Sequence, residues 1–334
     1  MIDIKKYVST PIEVTWDITS KCNLACSFCL ENSLDVSACE NITNKDRWNI
    51  VNEIIKSKVL IVNISGGEPL LITEITDYIS AMTKGGCGVN LTTNGLLLTS
   101  ELAAELKIAG IRRVEVTIYP EVIEKSLDAI KVLKENGIKT APRAVFTRKL
   151  RPQLPYFLKK CQKAGIDRIV MQEVVPLGRG LDNFKEFELT EKENLDATKR
   201  IKELTADFES FEVLYTSSTI GEMQSECAIG CVIALDVRKR CEIRPDGNVI
   251  PCSIVSIYDV KNNIHEKGLK QCWLDVPRLY KPLLEETARK TCKGCAIADN
   301  CAKGCPADHE KLLRRGKKSG PEICRFYKTI LKDV

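Results

Sequence analysis

Two rhythms of apolar and polar positions alternate along the first two thirds of the chain. Short β-branched runs at Ile12–Ile18, Val59–Ser65, Gly88–Thr93, Arg113–Ile118, Thr140–Phe146 and Arg168–Glu173 read as strands. Between them, Asn44–Lys56, Ile72–Lys84, Ser100–Ala109, Val122–Asn136 and Pro152–Ala164 carry the spacing of amphipathic helices. Gly85, Gly110, Asn136-Gly137 and Gly165 sit where helices end. Strand–helix alternation repeated about six times predicts an α/β fold with parallel strands and right-handed crossovers. An open doubly wound sheet and a full or partial barrel both satisfy this pattern.

A charged helical stretch follows at Thr190–Phe208. From about Gly221 the texture changes: cysteines become dense, regular helices rare, and Gly, Pro and Asp cluster. This places a domain boundary near 215–225, with residues 1–215 forming the α/β domain and 216–334 a cysteine-rich one. No internal repeat is evident.

The 334 residues are 44% hydrophobic and 28% charged, as in ordinary soluble globular proteins. Runs such as Val59–Ile64 are too short to cross a bilayer, so no membrane partner is expected. Met1-Ile2-Asp3-Ile4-Lys5-Lys6 has no apolar signal segment, which predicts a cytoplasmic protein. The net charge of +5 is mild, and the basic run Arg314–Lys318 reads as a solvated turn, so no nucleic-acid partner is expected. Sixteen cysteines against two histidines change the picture. A reducing compartment does not sustain that many disulfides, and thiolate-only sites favour iron–sulfur clusters over zinc.

The first strand runs into Cys22-x3-Cys26-x2-Cys29, a loop at the C-terminal end of a strand, where βα-loops carry chemistry. Three thiolates can wrap three corners of a cubane and leave one iron open to a ligand. The alternative is a zinc knuckle, which usually needs a second cysteine pair. After the second strand comes Ser65-Gly66-Gly67-Glu68-Pro69, and after the third Thr92-Thr93-Asn94-Gly95. Alone, each is as much a turn as a site.

Taken in order over residues 11 to about 180, these motifs resemble the radical S-adenosylmethionine (SAM) superfamily, whose signature is Cys-x3-Cys-x2-Cys with an aromatic such as Phe28, here an expected cofactor contact. The resemblance implies a partial (β/α)6 TIM-like barrel in which Cys22, Cys26 and Cys29 hold a 4Fe–4S cluster. SAM would bind its open iron through the amino and carboxylate groups. Gly66, Gly67, Glu68 and Pro69 would face the SAM amino group, and Thr93 and Asn94 its ribose and carboxylate. Arg143, on the fifth strand, is a candidate contact for the SAM carboxylate or the substrate, with a surface ion pair as the other reading. Val175-Pro176-Leu177-Gly178-Arg179-Gly180 is similar to a Pro-x-Gly-Arg segment that passes the adenine, which brings in Val175. At the fourth rim Tyr119-Pro120 departs from the Ser-x-Asp-Gly of many relatives.

A second array reads Cys231, Cys241, Cys252, Cys292-x2-Cys295-x5-Cys301-x3-Cys305 and Cys324, with a Pro245-Asp246-Gly247 hairpin turn between Cys241 and Cys252. It resembles the SPASM domain of the same superfamily. By that resemblance Cys231, Cys241, Cys252 and Cys305 hold one auxiliary 4Fe–4S cluster, and Cys292, Cys295, Cys301 and Cys324 a second. Cys227 competes with Cys231, and a pair of zinc ribbons is the alternative. The expected cofactors are thus three 4Fe–4S clusters and SAM. The array looks most like that of peptide maturases, mycofactocin-type and sactipeptide-type among them. The expected function is modification of a ribosomally made precursor peptide by crosslink, oxidation or epimerisation. A separate peptide-recognition protein and a flavodoxin- or ferredoxin-type one-electron donor are the expected partners. The alternatives are a small-molecule oxidoreductase such as a haem-precursor decarboxylase, and a non-catalytic metal scaffold.

Overall fold

The computed structural model describes residues 9–37, 40–175, 177–187, 189–206, 208, 210–216 and 239–291. The chain divides into two compact units, Thr15–Ser218 and a second made of Met1–Val14 with Thr219–Val334.

In the first unit the strands follow chain order. β1 (Glu13–Asp17) leads into a loop holding a short parallel pair, β2 (Lys21–Cys22) and β3 (Leu34–Asp35). β4 (Ile61–Ser65) lies beside β1, β5 (Gly88–Thr93) beside β4, and β6 (Arg113–Val116) beside β5. β7 (Arg143–Phe146), β8 (Arg168–Glu173) and β9 (Glu212–Thr216) continue the order. Single bridges Val114↔Thr140 and Thr117↔Arg143 tie β6 to the approach of β7. The β4–β5, β5–β6, β7–β8 and β8–β9 pairs are parallel. A doubly wound sheet reverses its order at a switch point; here each strand adds next to its predecessor, as around a barrel wall. The six expected strands are present, and β9 is a further one. β7 starts three residues later than the apolar pattern suggests, because Pro142 has no amide to give to a ladder.

Alternation sets the two faces of the wall. Val14, Trp16, Val62, Ile64, Val89, Leu91, Val114 and Val116 are fully buried. On the helical layer, α1 (Asn44–Lys56) starts with a capping box between Thr43 and Asp46 and buries Ile50, Val51 and Ile54. Tyr78, on α2 (Ile75–Lys84), packs against Trp16 and Trp48 with ring centroids 6.0 and 5.0 Å away. The layer continues with α3 (Ser100–Ile108), α4 (Ile123–Glu135) and α5 (Leu154–Lys163). Two short helices, α6 (Gly178–Asp182) and α7 (Phe184–Phe187), precede α8 (Glu191–Thr205). Polar residues take the opposite strand face, where Asn90 Nδ2 donates to Asn63 Oδ1 at 2.7 Å.

In the second unit, β10 (Arg240–Ile243) and β11 (Val249–Ile250) form the expected hairpin, with Glu242 opposite Ile250 and Ile243 opposite Val249. That register sets Cys241 opposite Pro251, one residue short of Cys252. Ile250, Val255, Val276 and Tyr280 form a core on which Cys252 packs. α9 (Ile264–Thr291) is interrupted at Gly268. Cys227, Cys231, Cys292, Cys295, Cys301, Cys305 and Cys324 lie outside the described residues. Among the described residues, no helix is long and apolar enough to cross a membrane.

Candidate metal centre

The cysteine loop leaves β1 through Thr19, Ser20 and Lys21. Glu40 fixes this exit: its carboxylate accepts from Thr19 Oγ1 (2.7 Å), Ser20 N (2.5 Å), Ser20 Oγ (2.7 Å) and Arg47 Nη2 (3.0 Å). Arg47 also donates from Nε to Ile18 O at 3.1 Å. Burial pushes the Glu40 carboxyl up, but those donors outweigh it and hold the group below the usual carboxylate range.

Beyond the exit, Cys22, Cys26 and Cys29 are free thiols, all half-buried. Burial raises the Cys22 thiol and pushes Cys26 up to about 11, and the charge of Cys29 adds to both. Donors nevertheless point at the sulfurs. Leu24 N lies 3.4 Å from Cys22 Sγ, and Ser33 N lies 3.5 Å from Cys29 Sγ. Three thiols crowded in one loop, with amides aimed at two of their sulfurs, suit a three-thiolate cluster, since metal ligation replaces the protons that burial otherwise retains. Among the described residues no three His, Cys, Asp or Glu side chains converge enough to share a single ion. Cubane thiolates bind separate irons and need no such convergence.

The Gly66-Gly67-Glu68 segment is knitted to the same exit. Gly67 N donates to Thr19 O (2.8 Å) and Glu68 N to Lys21 O (2.7 Å). A Cβ on Gly67 would stand 2.0 Å from Lys21 O, so only glycine permits this approach of backbone to backbone. The glycines therefore place Glu68 against the cysteine loop. Pro69, itself buried, opens a 3-10 turn over Pro69–Leu71, which the Glu68 side chain caps through Leu70 N (3.0 Å).

Glu68 is fully buried, and the third rim holds it. Thr93 Oγ1 donates to Oε1 at 2.7 Å, and Asn94 N donates to Oε2 at 2.8 Å. Burial nevertheless keeps its pKa above the ordinary carboxylate value. Asn94 Nδ2 in turn reaches Asn23 Oδ1 in the cysteine loop at 2.7 Å. The second and third rims thus meet the loop in one hydrogen-bonded patch.

The remaining expected contacts, Phe28, Arg143 and Val175, have the following partners. Phe28 turns into an apolar cluster of Val174, Phe184 and Phe187, with its ring stacked on Tyr119 at 6.1 Å and edge-on to Phe187 at 5.7 Å. It anchors the loop. Arg143 pairs through Nε with Glu115 Oε2 at 2.8 Å, and Arg113 Nη2 takes Oε1 at 2.5 Å. The Val175 carbonyl accepts from Leu177 N at 2.8 Å, which shapes the entry to α6.

Sequence reasoning missed Glu40, Arg47, Asn23 and Ser33, and assigned no contact to Arg179. Arg179 donates from Nε to Cys26 O (2.9 Å), from Nη1 to Ser33 O (2.6 Å) and from Nη2 to Ser33 Oγ (3.1 Å). Asn183 Nδ2 adds a bond to Ser27 O at 3.0 Å. A Cβ on Gly178 would fall 2.6 Å from the carbonyls of both Cys29 and Leu30, so here too a glycine lets one rim lie on the loop. The Gly-x-Gly around Arg179 was the available signal; Ser33 carried none.

Known proteins are similar to this chain in sequence and in fold. The pattern of the Radical SAM superfamily matches residues 16–119. Mycofactocin maturase MftC of Mycobacterium ulcerans is 27% identical over 322 residues, covering 90% of this chain and 84% of that protein. An AdoMet-dependent heme synthase of Methanosarcina barkeri is 24% identical over 331 residues, covering 90% and 92%. Crystal structures of Streptococcus suis SuiB share the fold at a TM-score of 0.69 and 19% identity. They cover 95% of this chain when SuiB is bound to S-adenosylmethionine and 94% when it is bound to the precursor peptide SuiA, against 77% and 75% of SuiB. The superfamily implies a 4Fe–4S cluster and SAM. The cysteine loop, the Glu68 rim and the Thr93–Asn94 rim all lie within residues 16–119, and that segment is a radical SAM domain.

Proposed function

We propose that this chain is a radical SAM enzyme that modifies a ribosomally made precursor peptide, with Cys22, Cys26 and Cys29 holding the catalytic cluster. With SAM and a one-electron donor, a cluster held by these cysteines would supply hydrogen-atom abstraction from the substrate. The chain's own residues bind and orient. Glu68, held by Thr93 and Asn94 beside the loop, offers a carboxylate to the SAM ammonium, and Asn94 ties that carboxylate to the loop through Asn23. The single observation that carries the reading is this fully buried Glu68 set against the cysteine loop by Gly67. Arg143, exposed and paired with Glu115, is retained in this reading as the contact for a SAM or substrate carboxylate.

The reading extends to two auxiliary 4Fe–4S clusters, with Cys231, Cys241, Cys252 and Cys305 on one and Cys292, Cys295, Cys301 and Cys324 on the other. These would pass an electron from the substrate radical or relay one. The hairpin sets Cys241 opposite Pro251, so the backbone of Cys252 lies one residue further along at its open end. A flavodoxin- or ferredoxin-type protein supplies the electron, and a separate recognition protein presents the peptide. The maturase relatives favour a peptide; the heme synthase, matched over 92% of its length, favours a haem precursor as the second reading. Mass spectrometry decides. A mass change in a short peptide encoded beside the gene, dependent on SAM, supports the first; turnover of a haem precursor with no change in the peptide overturns it.

A further inference from the structure

We propose that Ser33 and Arg179 form a positioning pair that hydrogen-bonds the Cys29 thiolate and raises the reduction potential of the catalytic cluster. This rests on the reading that Cys29 is a cluster ligand. Ser33 Oγ lies 3.4 Å from Cys29 Sγ, with Ser33 N at 3.5 Å from the same sulfur. Either atom of the hydroxyl–thiol contact can donate in isolation, but Arg179 removes the ambiguity. A guanidinium has five N–H donors and no acceptor. Its Nη2 donates to Ser33 Oγ at 3.1 Å, so the hydroxyl accepts there and its own proton must go elsewhere. Cys29 Sγ is a neighbouring acceptor, with the Cys22 sulfur also in reach of the hydroxyl, and as metal-bound thiolates both can only accept. Nη1 holds Ser33 O at 2.6 Å, so the serine is gripped at both its carbonyl and its hydroxyl. Ser33 is 7% exposed, which keeps water from substituting for the hydroxyl.

The consequence is electronic. Reduction adds one negative charge to the cluster, and hydrogen bonds to its sulfurs, together with nearby positive charge, stabilise the more negative state. The Ser33 hydroxyl and the Arg179 cation therefore make the cluster easier to reduce. Arg179 also binds Cys26 O at 2.9 Å, so one side chain reaches the backbone beside two ligands.

The test uses the full chain, reconstituted anaerobically, and follows the EPR signal that changes on SAM addition through a dithionite-poised titration. Ser33→Ala at unchanged iron content is expected to lower the midpoint potential, by about tenfold in the ratio of reduced to oxidised cluster, or ~59 mV for one electron. Ser33→Thr, which keeps the hydroxyl, is expected to stay at the wild-type value. Arg179→Gln should shift in the same direction as Ser33→Ala, and Arg179→Lys by less. Unchanged potentials in Ser33→Ala and Arg179→Gln overturn the inference. If both variants lose iron, recovery of iron by Ser33→Thr and Arg179→Lys supports it, and failure of that rescue overturns it. A wild-type protein with no SAM-responsive signal would instead sink the cluster assignment itself.

Discussion

Thr93 Oγ1 donates to Glu68 Oε1 at 2.7 Å, joining two strand rims that lie 25 residues apart. The bond holds a buried carboxylate in one orientation, with its other oxygen taken by Asn94 N. Glu68→Gln keeps the shape and removes the charge. Hydrogen bonds to charged groups are worth about 1.5–3 kcal/mol, so SAM affinity should fall by about tenfold or more. Equilibrium dialysis with the reconstituted protein measures this, and an unchanged affinity would remove Glu68 from the SAM site. Because burial raises the Glu68 pKa, wild-type affinity should also weaken on acidification sooner than an ordinary carboxylate would allow.

Gly67 is needed for contact rather than for a turn. An added methyl would stand 2.0 Å from Lys21 O, which is backbone and cannot swing aside. Gly67→Ala should cost about 1–3 kcal/mol and lower the iron held after reconstitution. A variant with wild-type melting temperature and full iron would show that the two segments do not meet as described.

How far the sequence foretold this site depends on whether the signal was local. Cys22, Cys26 and Cys29 share one loop, and Glu68, Thr93 and Asn94 sit in short motifs at successive strand ends, so order along the chain sufficed to bring them together. Ser33 and Arg179 are 146 residues apart, and no periodicity links a serine after the loop to an arginine on a later rim. Phe28 was legible as an aromatic of the signature, but its packing on Tyr119 and Phe187 depends on tertiary contacts. Strand order, which chooses a barrel over a doubly wound sheet, likewise exceeds what alternation of apolar residues can specify. β9 follows a long charged helix and borders the cysteine-rich segment, where the strand–helix alternation no longer stands out.

The Glu40–Arg47 pair offers a stability test apart from the cofactor. Its side chains are 7% and 9% exposed, and Glu40 takes four donors at the loop exit. Removing one partner of a buried pair leaves the other charge uncompensated, at a cost of about 3–5 kcal/mol. Denaturant unfolding of the apo-protein should show Glu40→Ala losing that much. A loss under about 1 kcal/mol would rank the pair with solvent-exposed bridges.

Cluster assembly should depend on pH in a stated direction. Burial pushes the Cys26 thiol up to about 11 and raises Cys22, so both are protonated at neutral pH before loading. Ligation needs thiolates and releases those protons. Iron and sulfide uptake should therefore rise as pH increases from neutral into the alkaline range, with proton release detectable in weak buffer. Uptake independent of pH would contradict the protonated apo state.

The most direct test is 5′-deoxyadenosine formation from SAM and dithionite by the anaerobically reconstituted chain, measured beside its iron content and beside Cys22→Ala. Roughly twelve irons per wild-type chain are expected, as three cubanes require, with SAM cleavage that Cys22→Ala abolishes. Cleavage at the wild-type rate in Cys22→Ala, or tightly bound zinc without cleavage in the wild type, would contradict that expectation.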